Sequence, residues 1–172
     1  MDFPMKYGQT YRVGRDMVAE ELQRRGVTTR YMTNRDVTTD YLTSRGPINA
    51  LVVTTMDGRP LLDVWVKTKR SGPRRWVMSC PETCWLNNGD THPVRPRFWV
   101  LVAFGEPMYA PPRFWVVPDA RMEQIALDLY NNSPEVRAGG ETYKFRVRVC
   151  EAKVEGWEDR WDVIRAALPR TA

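Results

Sequence analysis

The chain has 172 residues, which fits a single domain over residues 1–172 with a hydrophobic core of its own. Hydrophobic residues make up 42% and charged residues 27%, which excludes a low-complexity or disordered composition. The formal net charge of +5 permits an anionic partner, and no apolar run approaches the roughly 20 residues of a membrane span. Residues 1–8 lack the apolar core of a secretory signal, so the sequence predicts a cytoplasmic protein without membrane association.

The first half of the chain predicts a helix followed by a β-hairpin. Apolar residues recur at helical spacing from Val13 to Leu22, and Gly26 is typical of a helix end. Asp57 and Gly58 form a tight-turn signal between two β-rich segments. In chain order, the predicted elements are a helix over 12–25, a β-rich segment over 27–32, a polar loop over 33–46 and strands over 48–55 and 61–69.

The second half predicts further strands and two more helices. The continuous apolar run over 98–104 is typical of a strand buried on both faces. Pro118 and Asp119 are typical of a helix start. The other predicted elements are a strand over 75–79, a loop over 80–95, a strand over 114–117, a helix to residue 130, a strand within 141–151 and a terminal helix over 156–168. This order predicts one α/β (α+β) domain.

Basic residues are clustered along the chain in three groups. The groups are Lys67, Lys69, Arg70, Arg74 and Arg75, then Arg95 and Arg97, and finally Lys144, Arg146 and Arg148. Clustered basic charge on strands favours binding to a nucleic-acid backbone. For the third group, a solvated strand edge kept soluble by its charge is an equally good interpretation.

Residues 46–69 form a hairpin pattern in which Lys67 and Lys69 close the second strand. This layout resembles the metal-site hairpin of the PD-(D/E)XK, or restriction-endonuclease-like, nuclease superfamily. Further segments resemble family elements in the same order, namely residues 14–26, 49–53, 64–68, 98–102, 114–118 and 159–164. The resemblance implies a central mixed β-sheet flanked by helices, and a site for Mg²⁺ if the protein is a catalyst.

The catalytic positions that the resemblance implies are Asn49, Trp65 and Lys67. The family usually has Asp at the position of Asn49 and Glu, Asp or Gln at that of Trp65, whereas Lys67 matches the family lysine. Hard cations prefer carboxylate oxygens, and here Asn49 offers one neutral carbonyl oxygen while Trp65 offers none, so both positions lack the charge that a metal requires. Strand alternation predicts Asp63 on the same face as Trp65, Lys67 and Lys69, which makes Asp63 a tentative metal ligand or catalytic residue.

Several of these residues have more than one interpretation. Asp63 is either a ligand or half of a cross-strand ion pair. Trp65 either fills the space of a lost metal site or stacks on an unpaired base. Asp36 and Asp40, in the preceding loop, are alternative sources of carboxylates.

Three functions are compatible with the sequence. The leading hypothesis is a nuclease-fold protein with a degenerate metal site that binds nucleic acid, DNA by family resemblance, or a partner protein. Its candidate binding residues are Lys67, Lys69, Arg70, Arg74, Arg75 and Trp65. The second is an active Mg²⁺-dependent endonuclease with a migrated carboxylate site. The third is a structural subunit, or a homodimer, whose basic face and seven tryptophans serve assembly.

Overall fold

The structure is a computed structural model that describes residues 7–33, 50–70, 75–79, 95–105, 110–134 and 146–169. Its elements are α1 (Tyr7–Arg24), β1 (Thr29–Tyr31), β2 (Ala50–Thr54), β3 (Pro60–Lys69), β4 (Trp76–Ser79), β5 (Arg97–Ala103), β6 (Arg113–Pro118), α2 (Asp119–Asn131), β7 (Arg146–Val149) and α3 (Asp162–Ala167). Two short 3-10 turns, Glu151–Lys153 and Glu155–Trp157, lie between β7 and α3. Within these ranges no helix is long and apolar enough to cross a membrane.

Five strands form a mixed sheet in the order β1-β2-β3-β5-β6. The β3–β5 pair is parallel and the other neighbours are antiparallel. The fold class is therefore α/β with a mixed sheet, as predicted. β5 is buried along its whole length, which confirms the prediction from its continuous apolar run.

The predicted strand over 75–79 is present as β4, but it does not join the main sheet. It pairs instead with β7 in a separate two-stranded antiparallel sheet. In β4, buried Trp76 and Met78 alternate with exposed Val77, so this strand buries only one of its faces. β5, which is buried along its whole length, takes the position beside β3, where both of its faces are covered.

Most other helices and strands lie close to their predicted ranges, but the terminal helix does not. α1 begins at Tyr7 rather than at residue 12, and α2 begins at Asp119 as predicted. The predicted helix over 156–168 is wrong in extent, because only Asp162–Ala167 is α-helical. Just before it, the Asp159 amide donates to the Phe114 carbonyl at 2.9 Å, so this stretch pairs with β6 instead of coiling. Most of the two predicted long loops lies outside the described residues.

Hydrophobic cores cover both faces of the main sheet. On one face, α1 residues such as Val18 and Leu22 pack against alternate residues of β3, including Val64. On the other face, Trp65 and Met122 of α2 belong to a cluster that also contains buried residues of the small sheet. The predicted alternation of β3 is therefore confirmed, and neither face of its central part is open to solvent.

Gly14 of α1 lies directly against Thr68 of β3. A Cβ at Gly14 would overlap Thr68 Oγ1 and would also lie 3.0 Å from Thr68 Cγ2. Thr68 is buried, and its hydroxyl has no hydrogen-bond partner among the described residues. The glycine therefore allows the helix to approach the end of β3 closely.

Candidate nucleic-acid interface

The pairing of β4 with β7 brings two basic groups of the sequence together. Val77 lies opposite Arg148, and Ser79 lies opposite Arg146. Val77 and Arg148 are exposed, whereas their strand neighbours Trp76, Met78, Val147 and Val149 are buried in the core. The outward face of the small sheet therefore carries the positive charge of Arg148, which belongs to the third basic group. Arg75, of the first group, lies just before β4.

A pocket of about 350 Å³ adjoins this outward face. Its described lining residues come from α1, from the end of β3 and from the start of β4, and they are Thr10, Tyr11, Thr68, Lys69, Arg70, Arg75 and Val77. Three of them are cationic and none of those described is acidic. Val77 belongs both to the pocket and to the outward face of the small sheet. We define the basic surface as Lys69, Arg70, Arg75, Val77 and Arg148.

Lys69 lines this pocket with a side chain that is buried and held in place. The residue is only 6% exposed, and its Nζ lies 2.5 Å from Glu151 Oε1 and 4.3 Å from the centroid of the Trp76 ring. The hydrogen bond from Lys69, together with Arg113 at 3.1 Å, lowers the pKa of Glu151. The predicted role of Lys69 in binding is thus limited to a positive charge held in place by Glu151.

The remaining basic residues of the first group differ in exposure. Lys67 and Arg70 are half-buried, and Arg75 is exposed. Arg74 lies outside the described residues. Among the described members of this group, Arg75 therefore has the side chain most open to a large anionic partner.

Asp63 is part of an ion pair, which was one of its two interpretations. Its Oδ1 lies 2.9 Å from an Arg95 guanidinium nitrogen, and both side chains are largely buried. Asn49, Asp36 and Asp40 lie outside the described residues. In the part of the chain that the structure describes, no group of three His, Cys, Asp or Glu residues is placed to hold a metal ion.

Trp65 is a core residue and not a surface platform. It is 5% exposed, its ring centroid lies 5.2 Å from that of Trp99, and the Arg97 guanidinium lies over it at 4.7 Å. This burial does not agree with the predicted stacking on an unpaired base, because the ring is almost fully covered. The alternative interpretation, an indole that fills the interior, agrees with this packing.

Arg97 is also buried and ion-paired inside the protein. Its guanidinium makes two bonds to the Asp119 carboxylate, at 2.7 and 2.9 Å, and the Trp99 indole donates to the same carboxylate at 2.7 Å. Asp119 is the first residue of α2, so this network joins β5 to the helix start. The second basic group, Arg95 and Arg97, thus serves internal ion pairs.

The described residues on this face of β3 do not fit a Mg²⁺ site. The carboxylate of Asp63 is engaged by Arg95, and Trp65 supplies no oxygen ligand. The Arg97 guanidinium lies over Trp65 and engages the Asp119 carboxylate, so neither residue leaves a free oxygen ligand beside the indole. A hard cation needs several oxygen ligands, and these residues provide one paired carboxylate.

The tryptophans do not form an exposed assembly surface in the described part of the chain. Trp65, Trp76, Trp99, Trp115 and Trp161 are buried, and Trp157 is half-buried. Exposed tryptophans would have favoured the hypothesis of a structural subunit, and these six provide no fully exposed one.

Sequence reasoning missed Glu151, which pairs with Lys69, and Arg113, which pairs with the same carboxylate. It also missed the contact between the first and third groups, since that contact depends on pairing between distant strands. The signal available in the sequence was the alternation of arginine and valine over residues 146–149, which predicts a strand with one buried and one exposed face. Comparison of the chain with protein-family models, with curated proteins and with solved structures gives no match.

Proposed function

We propose that this protein binds the phosphate backbone of nucleic acid at the basic surface, without metal-dependent cleavage. The observation that carries the proposal is the register of β4 and β7, in which Arg148 lies opposite Val77, one of the residues that line the basic pocket. Arginine suits this role because its planar guanidinium can make paired hydrogen bonds to phosphate. Backbone contacts of this kind give affinity without sequence preference.

The scaffold is part of the same proposal. A mixed sheet with helices on both faces, and Lys67 near the end of β3, is compatible with a restriction-endonuclease-like domain. On this resemblance DNA is the leading ligand. The paired Asp63 and the buried Trp65 support binding in place of catalysis, because they leave this face without a set of hard ligands.

The strength of binding follows from the small number of exposed cations. A surface that binds a few phosphates gives sequence-independent dissociation constants of about 10⁻⁴ to 10⁻⁶ M at physiological salt. Removal of one phosphate-binding side chain should weaken binding to all sequences by a similar factor, because phosphate carries no sequence information.

The experiment measures binding and cleavage in parallel. The purified protein is titrated into labelled duplex DNA, single-stranded DNA and RNA, and the same mixtures are incubated with Mg²⁺ or Mn²⁺ and run on a gel. We expect micromolar binding with intact nucleic acid in every lane. Cleavage that is lost in Lys67→Ala would instead establish an active nuclease. Absence of binding to all three polymers would overturn the proposal in favour of a protein partner.

A further inference from the structure

The size of the basic pocket limits what can enter it. Its volume of about 350 Å³ lies near the lower end of the range for small-molecule sites, which is roughly 300–1,000 Å³. A pocket of this size accepts one chemical group of about nucleotide size and is far too small for a duplex. A nucleic acid that lies on the basic surface can therefore place only a single phosphate or nucleotide in it.

The charge of the pocket favours a group with more than one negative charge. Arg70 and Arg75 line it together with Lys69, whose charge is already paired with Glu151, and no described lining residue is acidic. A phosphomonoester carries about −1.5 to −2 charges at pH 7, whereas a phosphodiester carries one. Each additional charge strengthens the attraction to the guanidinium groups, so the pocket should select the monoester.

The walls of the pocket indicate where a bound strand would end. Val77 joins the pocket to the outward face of the small sheet, where Arg148 lies. Thr10 and Tyr11 of α1 also line the pocket, so helix α1 contributes part of its wall. A strand that follows Arg148 and enters past Val77 would meet this wall, which favours a strand end over a continuous backbone.

We propose that the pocket binds the terminal phosphomonoester of a nucleic-acid strand, so that the protein prefers phosphorylated strand ends to strand interiors. This inference rests on the proposed function, since it assigns one part of the same basic surface. The two arginines have separate roles: Arg75 contacts the terminal phosphate in the pocket, and Arg148 contacts backbone phosphates outside it.

The test compares oligonucleotides of one sequence that differ only at their ends. The probes carry a 5′-phosphate, a 3′-phosphate or hydroxyls at both ends, and a closed circle of the same sequence has no end. We expect one phosphorylated form to bind about tenfold more tightly than the hydroxyl form, as for a charge-assisted contact. The circle should bind like the hydroxyl form.

Two variants separate the pocket from the outward face, and Arg59→Ala at the far end of β3 is the control. Arg75→Ala should abolish the preference for the phosphorylated end, whereas Arg148→Ala should weaken all probes equally and keep the preference. Equal binding of all ends by the wild type would overturn this inference and leave the proposed function standing. A nucleoside monophosphate that binds as tightly as the oligonucleotide would also overturn it, because the pocket would then be a free-nucleotide site. Failure to bind any oligonucleotide would remove both proposals.

Discussion

Arg148 of β7 lies opposite Val77 of β4, although the two residues are far apart in the sequence. Both are exposed, and Val77 also lines the pocket that contains Arg70 and Arg75. This relationship places a residue of the third basic group next to a pocket that residues of the first group line. Its consequence for function is that residues on both strands should act on the same nucleic-acid ligand.

Reversal of the charge at Arg148 tests that consequence. Arg148→Glu should weaken binding to duplex DNA by about tenfold at low salt, because it removes one attraction and adds one repulsion near the phosphates. The matched control is Arg59→Glu, which makes the same change in net charge in the turn before β3. Titration by fluorescence anisotropy gives both affinities. An equal reduction of affinity in the two variants would mean that only the total charge matters.

Replacement of Trp65 separates a core role from base stacking. Trp65→Leu should lower the free energy of unfolding by about 2–4 kcal/mol, because it leaves a cavity beside Trp99 and Arg97. The affinity of the folded protein for single-stranded DNA should change by less than about twofold. Loss of a stacking platform would instead cost about 1–3 kcal/mol of binding, or roughly five- to 150-fold in affinity. Urea unfolding and titration at a temperature where both proteins are folded distinguish these outcomes.

Gly14 should not tolerate even a methyl group. Alanine at an exposed helix glycine gains about 1 kcal/mol, but here the new Cβ overlaps Thr68, and we expect a net loss of about 1–3 kcal/mol. Thr68→Ala removes the two nearest atoms, so the double variant should recover part of that stability. Urea unfolding of all four proteins gives the coupling free energy. Simple additivity of the two changes would contradict the close approach of α1 and β3.

The ion pair of Glu151 predicts how stability depends on pH. Lys69 lowers the folded-state pKa of Glu151 below its ordinary value near 4.5. The carboxylate therefore contributes stability above about pH 4.5, and this contribution disappears as the pH falls through the lower folded-state pKa. Stability should be nearly constant from pH 7 to 5 and should fall below about pH 4.5.

Glu151→Gln should remove part of that acid-induced destabilisation. It should also lower stability at pH 7 by about 2 kcal/mol, since Lys69 is buried and loses its anionic partner. Glu20→Gln is the control, because the Glu20–Arg24 pair is well exposed and contributes little. An unchanged pH profile in Glu151→Gln would show that this ion pair does not stabilise the fold.

The parts of the fold that depend on local patterns could be predicted from the sequence. The alternation of β3, the Asp57-Gly58 turn and the start of α2 at Asp119 each follow from a short stretch of residues, and each is confirmed. Gly58 has a φ of +85°, which the turn requires and glycine permits.

The site depends on contacts between distant segments, which a single sequence does not encode locally. Arg97 resembles a surface cation in the sequence, and only the fold places Asp119 beside it. In the sequence, Trp65 resembles a stacking platform for a base. In the structure, the small sheet and α2 cover the face of β3 on which it lies. The pairing of β4 with β7 likewise joins two strands that are far apart in the sequence.

The salt dependence of DNA binding tests the central claim most directly. The affinity of the wild type for a duplex with phosphorylated ends is measured between about 50 and 200 mM salt, with the Arg75→Ala/Arg148→Ala double variant beside it. Because each phosphate contact contributes about 0.9 to the slope of log affinity against log salt, we predict a steep negative slope that becomes shallower by nearly 2 in the variant. A slope near zero in the wild type, or the same slope in both proteins, would contradict binding of the nucleic-acid backbone at the basic surface.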